Sequence, residues 1–210
     1  MNTERVLILA PHTDDGEFGC GGSIAKFIES GAMVYYATFS LCEESIPKGL
    51  PKDILEKEVV KASEVWGIGK SNLLIFRYPV RRFAEHRQDI LEDLVELQRD
   101  LKPTTVFVPS FNDLHQDHHI VAQEGMRAFK KTTVLAYEMP WNNITFSTQL
   151  FIKLSSEHID KKLAALREYR SQKEKPYANE EFIRSLARMR GVSIDASYAE
   201  AFEVVRWIIE

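Results

Sequence analysis

The sequence predicts an α/β fold: a mostly parallel sheet with a 3-2-1-4-5 core, helices on both faces and a C-terminal extension. Three observations carry this expectation. Short β-branched and aromatic runs alternate with amphipathic helical stretches from residue 5 to residue 139. Polar clusters rich in His and Asp follow the first and the fourth of those runs, at equivalent places in the alternation. Beyond Pro140 the alternation gives way to a different pattern.

The elements follow in order. "RVLILA" (5–10) is a continuous apolar run, the pattern of a strand buried on both faces. From Gly22 to Ser30 a helix is expected, with Ile24, Phe27 and Ile28 on one face and Gly31 as its stop. "MVYYATF" is the second strand, and the loop from Leu41 to Pro51 is long enough to shape a pocket. Leu55, Val59, Ala62 and Trp66 recur at helical spacing, which places a helix over residues 54–66. "NLLIFRY" is the third strand, and a helix over 88–101 buries Ile90, Leu91, Leu94, Leu97 and Leu101 before Pro103. "TTVFVPS" is the fourth strand, then come the "FNDLHQDHH" loop, a helix to about Phe129, and "TVLAYEM" as the fifth strand. "WNNITFSTQLF" reads as irregular or as an antiparallel excursion. Two helices, over 157–171 and 180–190, and a last strand in "YAEAFEVVRW" complete the chain.

Composition narrows the function classes. Residues 1–210 are read as one domain, with 44% hydrophobic and 28% charged residues. A formal net charge of −4 lacks the basic surplus of a general nucleic-acid binder. Two cysteines imply no disulfide framework. The N-terminal apolar run is too short for a secretion signal, and no stretch reaches the roughly 20 apolar residues that span a bilayer. The expectation is a cytoplasmic protein without membrane insertion. Sheet edges and the Trp141–Phe151 segment leave room for homo-oligomers without fixing a number.

The two polar clusters carry the chemistry. His12, Asp14 and Asp15 follow the first strand; His115, Asp117 and His118 follow the fourth. In a 3-2-1-4-5 sheet those strands are neighbours at the reversal of strand order, where open α/β sheets bind ligands. Imidazole nitrogen and carboxylate oxygen are ordinary zinc ligands, and a catalytic site keeps three protein ligands and an open position. His12, Asp15 and His118 are the candidate metal ligands. Asp14 is then a free carboxylate beside the metal, placed to take a proton from water. His115 could act as a charged donor to a developing oxyanion, and Asp117 could hold an imidazole in its tautomer. Two histidines and one carboxylate suit Zn2+ and also Fe2+.

Plainer roles are expected for several neighbours. Asp113 reads as a turn or loop-bracing residue. His86 and His158 sit among charges at helix starts and are expected to be solvated. His119 belongs to the first turn of the next helix, and Cys20 is expected to be a small buried residue in a glycine turn. Gly19, Gly21 and Gly22 do not make G-x-G-x-x-G, because Ile24 occupies the last position. "DHH" also occurs in the DHH phosphoesterases, but the early motif here is H-T-D-D where those enzymes have D-x-D.

With both loops in view, "PHTDDGEFGCGG" and "DLHQDHHIVAQEGMRAF" resemble the LmbE-like (PIG-L) family of zinc-dependent N-acetylglucosamine deacetylases. The likeness continues through "KLAALREYRSQ" and "RGVSIDASYAEAFEVVR". It implies a Rossmann-like fold and hydrolysis of the N-acetyl group of an amino sugar or its conjugate. The small-molecule product is a free amine beside acetate. The family's zinc ligands fall on His12, Asp15 and His118, its base on Asp14, its oxyanion-stabilising histidine on His115 and the supporting acid on Asp117. A tyrosine that contacts substrate in some members falls on Tyr198. Departures from the pattern are Thr13 in place of the usual proline and Gly16 in place of an acid, with Glu17 one position later. No arginine lies within residues 53–58. The alternatives are a metal-dependent phosphoesterase and a non-catalytic sugar- or nucleotide-binding domain of the same fold.

Overall fold

Alternate side chains of strand β1 (Arg5–His12) meet apolar partners on both faces of the sheet, as befits an interior strand covered on both sides. Val6, Ile8 and Ala10 enter one cluster; Leu7 and Leu9 enter the other. A computed structural model describes residues 3–209. Its sheet has seven strands in the order β3-β2-β1-β4-β5-β7-β6. Strands β2 (Met33–Ser40), β3 (Leu73–Ile75), β4 (Thr105–Pro109) and β5 (Thr133–Tyr137) run parallel to β1. Strand β7 (Tyr198–Arg206) pairs antiparallel with both β5 and β6 (Leu150–Leu154). The core order is the one the sequence predicts, and the C-terminal extension adds the two antiparallel strands.

Helices α1 (Asp15–Glu29), α2 (Ile54–Trp66), α5 (Ser156–Arg167) and α6 (Glu180–Val192) fill the first cluster. Helices α3 (Arg87–Leu101) and α4 (Gln116–Ala128) fill the second. Most predicted elements lie within a few residues of these bounds. Strand β3 is the shortened one. Beyond Ile75 the chain still bonds β2, through Phe76 N–H to the Thr38 carbonyl at 2.8 Å and Tyr78 N–H to Phe39 at 2.9 Å. Pro79 then brings no N–H to continue the contact.

Helix α1 begins seven residues before the predicted start, and the reason is a kink. Cys20 leaves helical geometry at φ −146° and ψ 23°. The N–H groups of Gly22 and Ser23 turn to the Glu200 carboxylate, at 3.0 and 2.7 Å. Lys162 neutralises that carboxylate at 2.7 Å and reaches the Phe18 carbonyl at 2.6 Å. The regular helix read from the sequence is therefore the second segment. The first is a glycine-rich turn held against Tyr137, whose ring leaves no room for a Cβ on Gly19. His158 departs from expectation too. It is buried, closes a capping box with Ser155, and places Nε2 2.7 Å from Glu29.

Candidate metal centre and active-site crevice

Strands β1 and β4 are hydrogen-bonded neighbours, so His12 at the end of one shares a crevice with His115 and His118, from the loop and the first turn of α4 that follow the other. The helices that follow, α1 and α4, start beside it at Asp15 and Gln116. Sheet topology thereby converts a separation of about 100 residues into contact.

His12, Asp15 and His118 converge. His12 Nδ1 and His118 Nε2 lie 3.2 Å apart, and each is 3.1 Å from Asp15 Oδ2. Three donors around a tetrahedral zinc stand about 3.3 Å from one another. The near-equilateral triangle thus has the dimensions of three ligands on one face of an ion. The Asp15 carboxylate is steadied by the His12 backbone N–H at 2.8 Å. His115 completes a looser group, with one ring nitrogen of each of the three histidines within 4.8 Å of the others. Its Nδ1 is already engaged, accepting from Asp117 N–H at 3.2 Å as the N-cap of α4.

Each inner histidine has its second nitrogen held by a buried carboxylate. Asp117 Oδ2 lies 3.1 Å from His12 Nε2, and Asp113 Oδ2 lies 2.7 Å from His118 Nδ1. A carboxylate accepts only, so each ring nitrogen facing it carries the proton and the opposite nitrogen turns its lone pair inward. Asp113 therefore does more than brace its loop. It accepts from His115 N–H at 2.8 Å with one oxygen and orients His118 with the other. The signal was available in the sequence: a ligating imidazole needs a partner for its other nitrogen, and an acid stood five residues upstream.

The electrostatics of this group favour a cation. Burial opposes charge on both imidazoles, but Asp15 and Asp117 hold His12 up at about 9, and Asp15 and Asp113 hold His118 up at about 10. Burial likewise opposes charge on Asp15, yet His118 and His12 pull it well below the usual carboxylate range. In short, the carboxylates draw positive charge into the triangle. A divalent ion supplies it in place of the two protons, so the donor set fits such an ion.

Asp14 and His115 flank the triangle with a different character. Asp14, the N-cap of α1, lines the crevice and makes no capping bond with its side chain. Burial and then the neighbouring Asp15 charge raise its pKa to about 7. Burial, with the charges of His12 and His118, lowers His115 to about 4. With Nδ1 accepting from Asp117 N–H, His115 is a neutral imidazole whose Nε2–H can donate. The charged donor expected from the sequence is disfavoured by the cationic neighbours.

Beneath the His12–Asp15 turn, the Thr13 carbonyl accepts from Tyr36 and Tyr169 hydroxyls at 3.0 and 2.7 Å. Both hydroxyls also bond the buried Glu17 carboxyl. Gly16 leaves room for Tyr36, whose hydroxyl and ring carbon would lie 2.6–2.8 Å from a Cβ. The loop is thus held from below by two tyrosines. On the crevice wall, Trp141 stacks on Tyr177 at 4.1 Å and 8°, and Phe18 meets both rings edge-on. Its Trp141 and Tyr177 come from segments that carry no periodicity, and Phe18 comes from the first turn of α1. Tyr198 is not among the crevice-lining residues: it starts β7 opposite Leu154 and packs on the core. Cys20 is buried, with Sγ 3.3 Å from the Gly16 carbonyl, and His119 is exposed on α4 beside Gln123.

The sequence matches the family described as PIG-L, GlcNAc-PI de-N-acetylase, over residues 7–129, more than half of the chain. The chain belongs to the PIG-L family. This PIG-L chain is 27% identical to the "Uncharacterized deacetylase YaiS" of Escherichia coli K12, across 79% of its own length and 90% of the relative. It is 26% identical to the "Probable N-acetyl-alpha-D-glucosaminyl L-malate deacetylase 2" of Bacillus subtilis 168, across 81% and 84%. Among solved structures, the conserved protein TT1542 of Thermus thermophilus aligns at 28% identity and TM-score 0.79, covering 98% and 96% of the two chains. GalB, a 4-carboxy-2-hydroxymuconate hydratase of Pseudomonas putida, aligns at 19% identity and TM-score 0.80, over 99% and 98%. That last likeness concerns the fold alone, so function in the PIG-L architecture has to be argued from the site.

Proposed function

We propose that the protein is a zinc-dependent deacetylase that hydrolyses the N-acetyl group of an N-acetylglucosamine-type sugar or its conjugate. The observation that carries this reading is the Asp14 carboxyl, raised towards neutrality, beside the three-donor triangle of His12, Asp15 and His118. Binding alone needs no such base, and membership of PIG-L favours deacetylation over phosphate-ester cleavage. A divalent cation held by the triangle supplies Lewis acidity, which polarises a carbonyl and lowers the pKa of water to about 7 for zinc.

The chain's own groups supply the rest. Asp14, ionised in a useful fraction near neutral pH, takes the proton of the attacking water as its oxygen adds to the acetyl carbon. His115 Nε2–H donates to the carbonyl oxygen as negative charge grows there, and the α4 cap fixes the ring for that task. Asp14 then returns the proton to the amine nitrogen as the carbon–nitrogen bond breaks. The acid formed gives its remaining water-derived proton to the freed amine, so acetate and the ammonium form of the sugar leave and both protons of the water are placed. Asp117 and Asp113 keep the two metal-facing imidazoles in the tautomers the ion requires. Trp141 and Tyr177 offer an aromatic surface to the apolar face of a sugar ring.

Asp14→Asn tests the assignment. Elemental analysis should find one zinc or iron per chain in both proteins, while amine release from N-acetylglucosamine conjugates falls by about 10³-fold, within the range of general-base catalysis. Phosphodiester cleavage without amine release by the unmodified protein would overturn the reading.

A further inference from the structure

The rim of the crevice carries charge that the reaction does not use. Four arginines lie between Arg77 and Arg87. Arg77 is paired with Glu43 and Glu56, Arg82 with Glu85, and Arg87 with Glu124. Arg81 lines the crevice, is exposed, and has no side-chain hydrogen bond or ion pair among the described residues. Lys175, from the loop before α6, lines the crevice as well and is likewise exposed and unpaired among the described residues. Apart from histidine, the ionisable lining consists of Asp14 and Asp15 at the floor, Arg81 and Lys175, and weakly acidic Cys42 and Tyr177.

Arg81 is also held in an unusual backbone conformation. Its φ of 65° lies in the left-handed region, which a residue with a long side chain adopts at a cost. Two bonds enforce it: Arg81 N–H donates to Asp117 Oδ2 at 2.6 Å, and the Arg81 carbonyl accepts from Gln116 Nε2. Glycine would satisfy both bonds without strain. An arginine kept there exposes an unpaired guanidinium in the same crevice as the reacting groups. It is anchored to the carboxylate that orients His12. Guanidinium and ammonium groups bind carboxylate and phosphate oxygens with charge-assisted hydrogen bonds.

We infer that Arg81 and Lys175 form a subsite for an anionic aglycone, a carboxylate or phosphate group carried by the amino sugar. The inference rests on the deacetylase reading above. It adds that the enzyme selects charged conjugates over neutral ones, through binding.

The test uses three N-acetylglucosamine glycosides that differ only in aglycone: methyl, a carboxylate-bearing group and a phosphate-bearing group. Binding is measured by calorimetry on metal-loaded Asp14→Asn protein, and turnover on the unmodified protein. At least one charged glycoside should bind about tenfold more tightly than the methyl glycoside, a difference of about 1.4 kcal/mol. The stronger of the two identifies the anion. Added salt should shrink the difference. Arg81→Gly should reduce the charged-to-neutral ratio to near one, and Lys175→Ala should reduce it in part. Equal binding of all three glycosides overturns the subsite, as does a ratio that survives both substitutions. Tighter binding of a charged glycoside with no amine released from any of them sustains the subsite and overturns the deacetylase reading. Equal binding with amine released from all three does the reverse.

Discussion

The floor and the rim of the crevice are built on opposite principles. At the floor, His12 and His118 each have one nitrogen against a buried carboxylate and the other in the donor triangle. Asp117 is fully buried and Asp113 is 5% exposed. At the rim, Arg81 and Lys175 face solvent with charges unpaired among the described residues, and Trp141 and Tyr177 are half-buried rings stacked on each other and edge-on to Phe18. A reacting centre needs ligands pre-oriented before substrate arrives, since a small misplacement forfeits the advantage of position. Substrate selection needs groups whose partners are left to be supplied. The contrast separates what the protein does from what it does it to.

Changes at the floor should act through the metal, and changes at the rim through substrate affinity. The larger effect is expected for Asp113→Asn. This variant keeps an oxygen for His115 N–H but places an NH2 donor opposite His118 Nδ1, so the carboxylate that fixes the tautomer is lost. Metal affinity, measured by competition with a chelator, should weaken by about 10- to 100-fold while the folded protein is retained. Unchanged affinity would mean that Asp113 only braces its loop. The smaller effect is expected for Trp141→Ala, which removes one ring of the stacked pair. Its KM for a glycoside should rise by roughly three- to tenfold, in line with the 0.5–1.5 kcal/mol of an aromatic contact. The kcat should stay nearly constant, as for lost uniform binding. A matching fall in kcat would place Trp141 in the reaction instead.

The same contrast decides what was legible in the sequence. The sheet order and most elements follow from apolar periodicity, and the meeting of His12 with His118 follows from the order alone, through β1 beside β4. The helical turn of Asp15–Gly19 was hidden because it is joined to the regular helix across a kink whose freed N–H groups are met by a distant carboxylate. Glu200, on β7, receives the N–H groups that the kink at Cys20 releases. His158 was hidden for a similar reason, since its partner Glu29 lies across the packed α1 and α5 helices, far away in sequence. The rim was least legible. Trp141 and Tyr177 lie in irregular segments, and Arg81 becomes distinctive only when its backbone angle and its place in the crevice are visible. Tyr198 shows the converse: a motif position transferred from the family lies on β7 against the core.

Which atoms hold the ion is measured directly by anomalous scattering from metal-loaded crystals. Data collected on either side of the zinc or iron absorption edge should give one peak per chain. That peak should lie about 2.0–2.2 Å from His12 Nδ1, Asp15 Oδ2 and His118 Nε2, with Asp14 and His115 beside it and unligated. A peak bonded to His115 in place of Asp15, drawing on the looser three-histidine group, would contradict it.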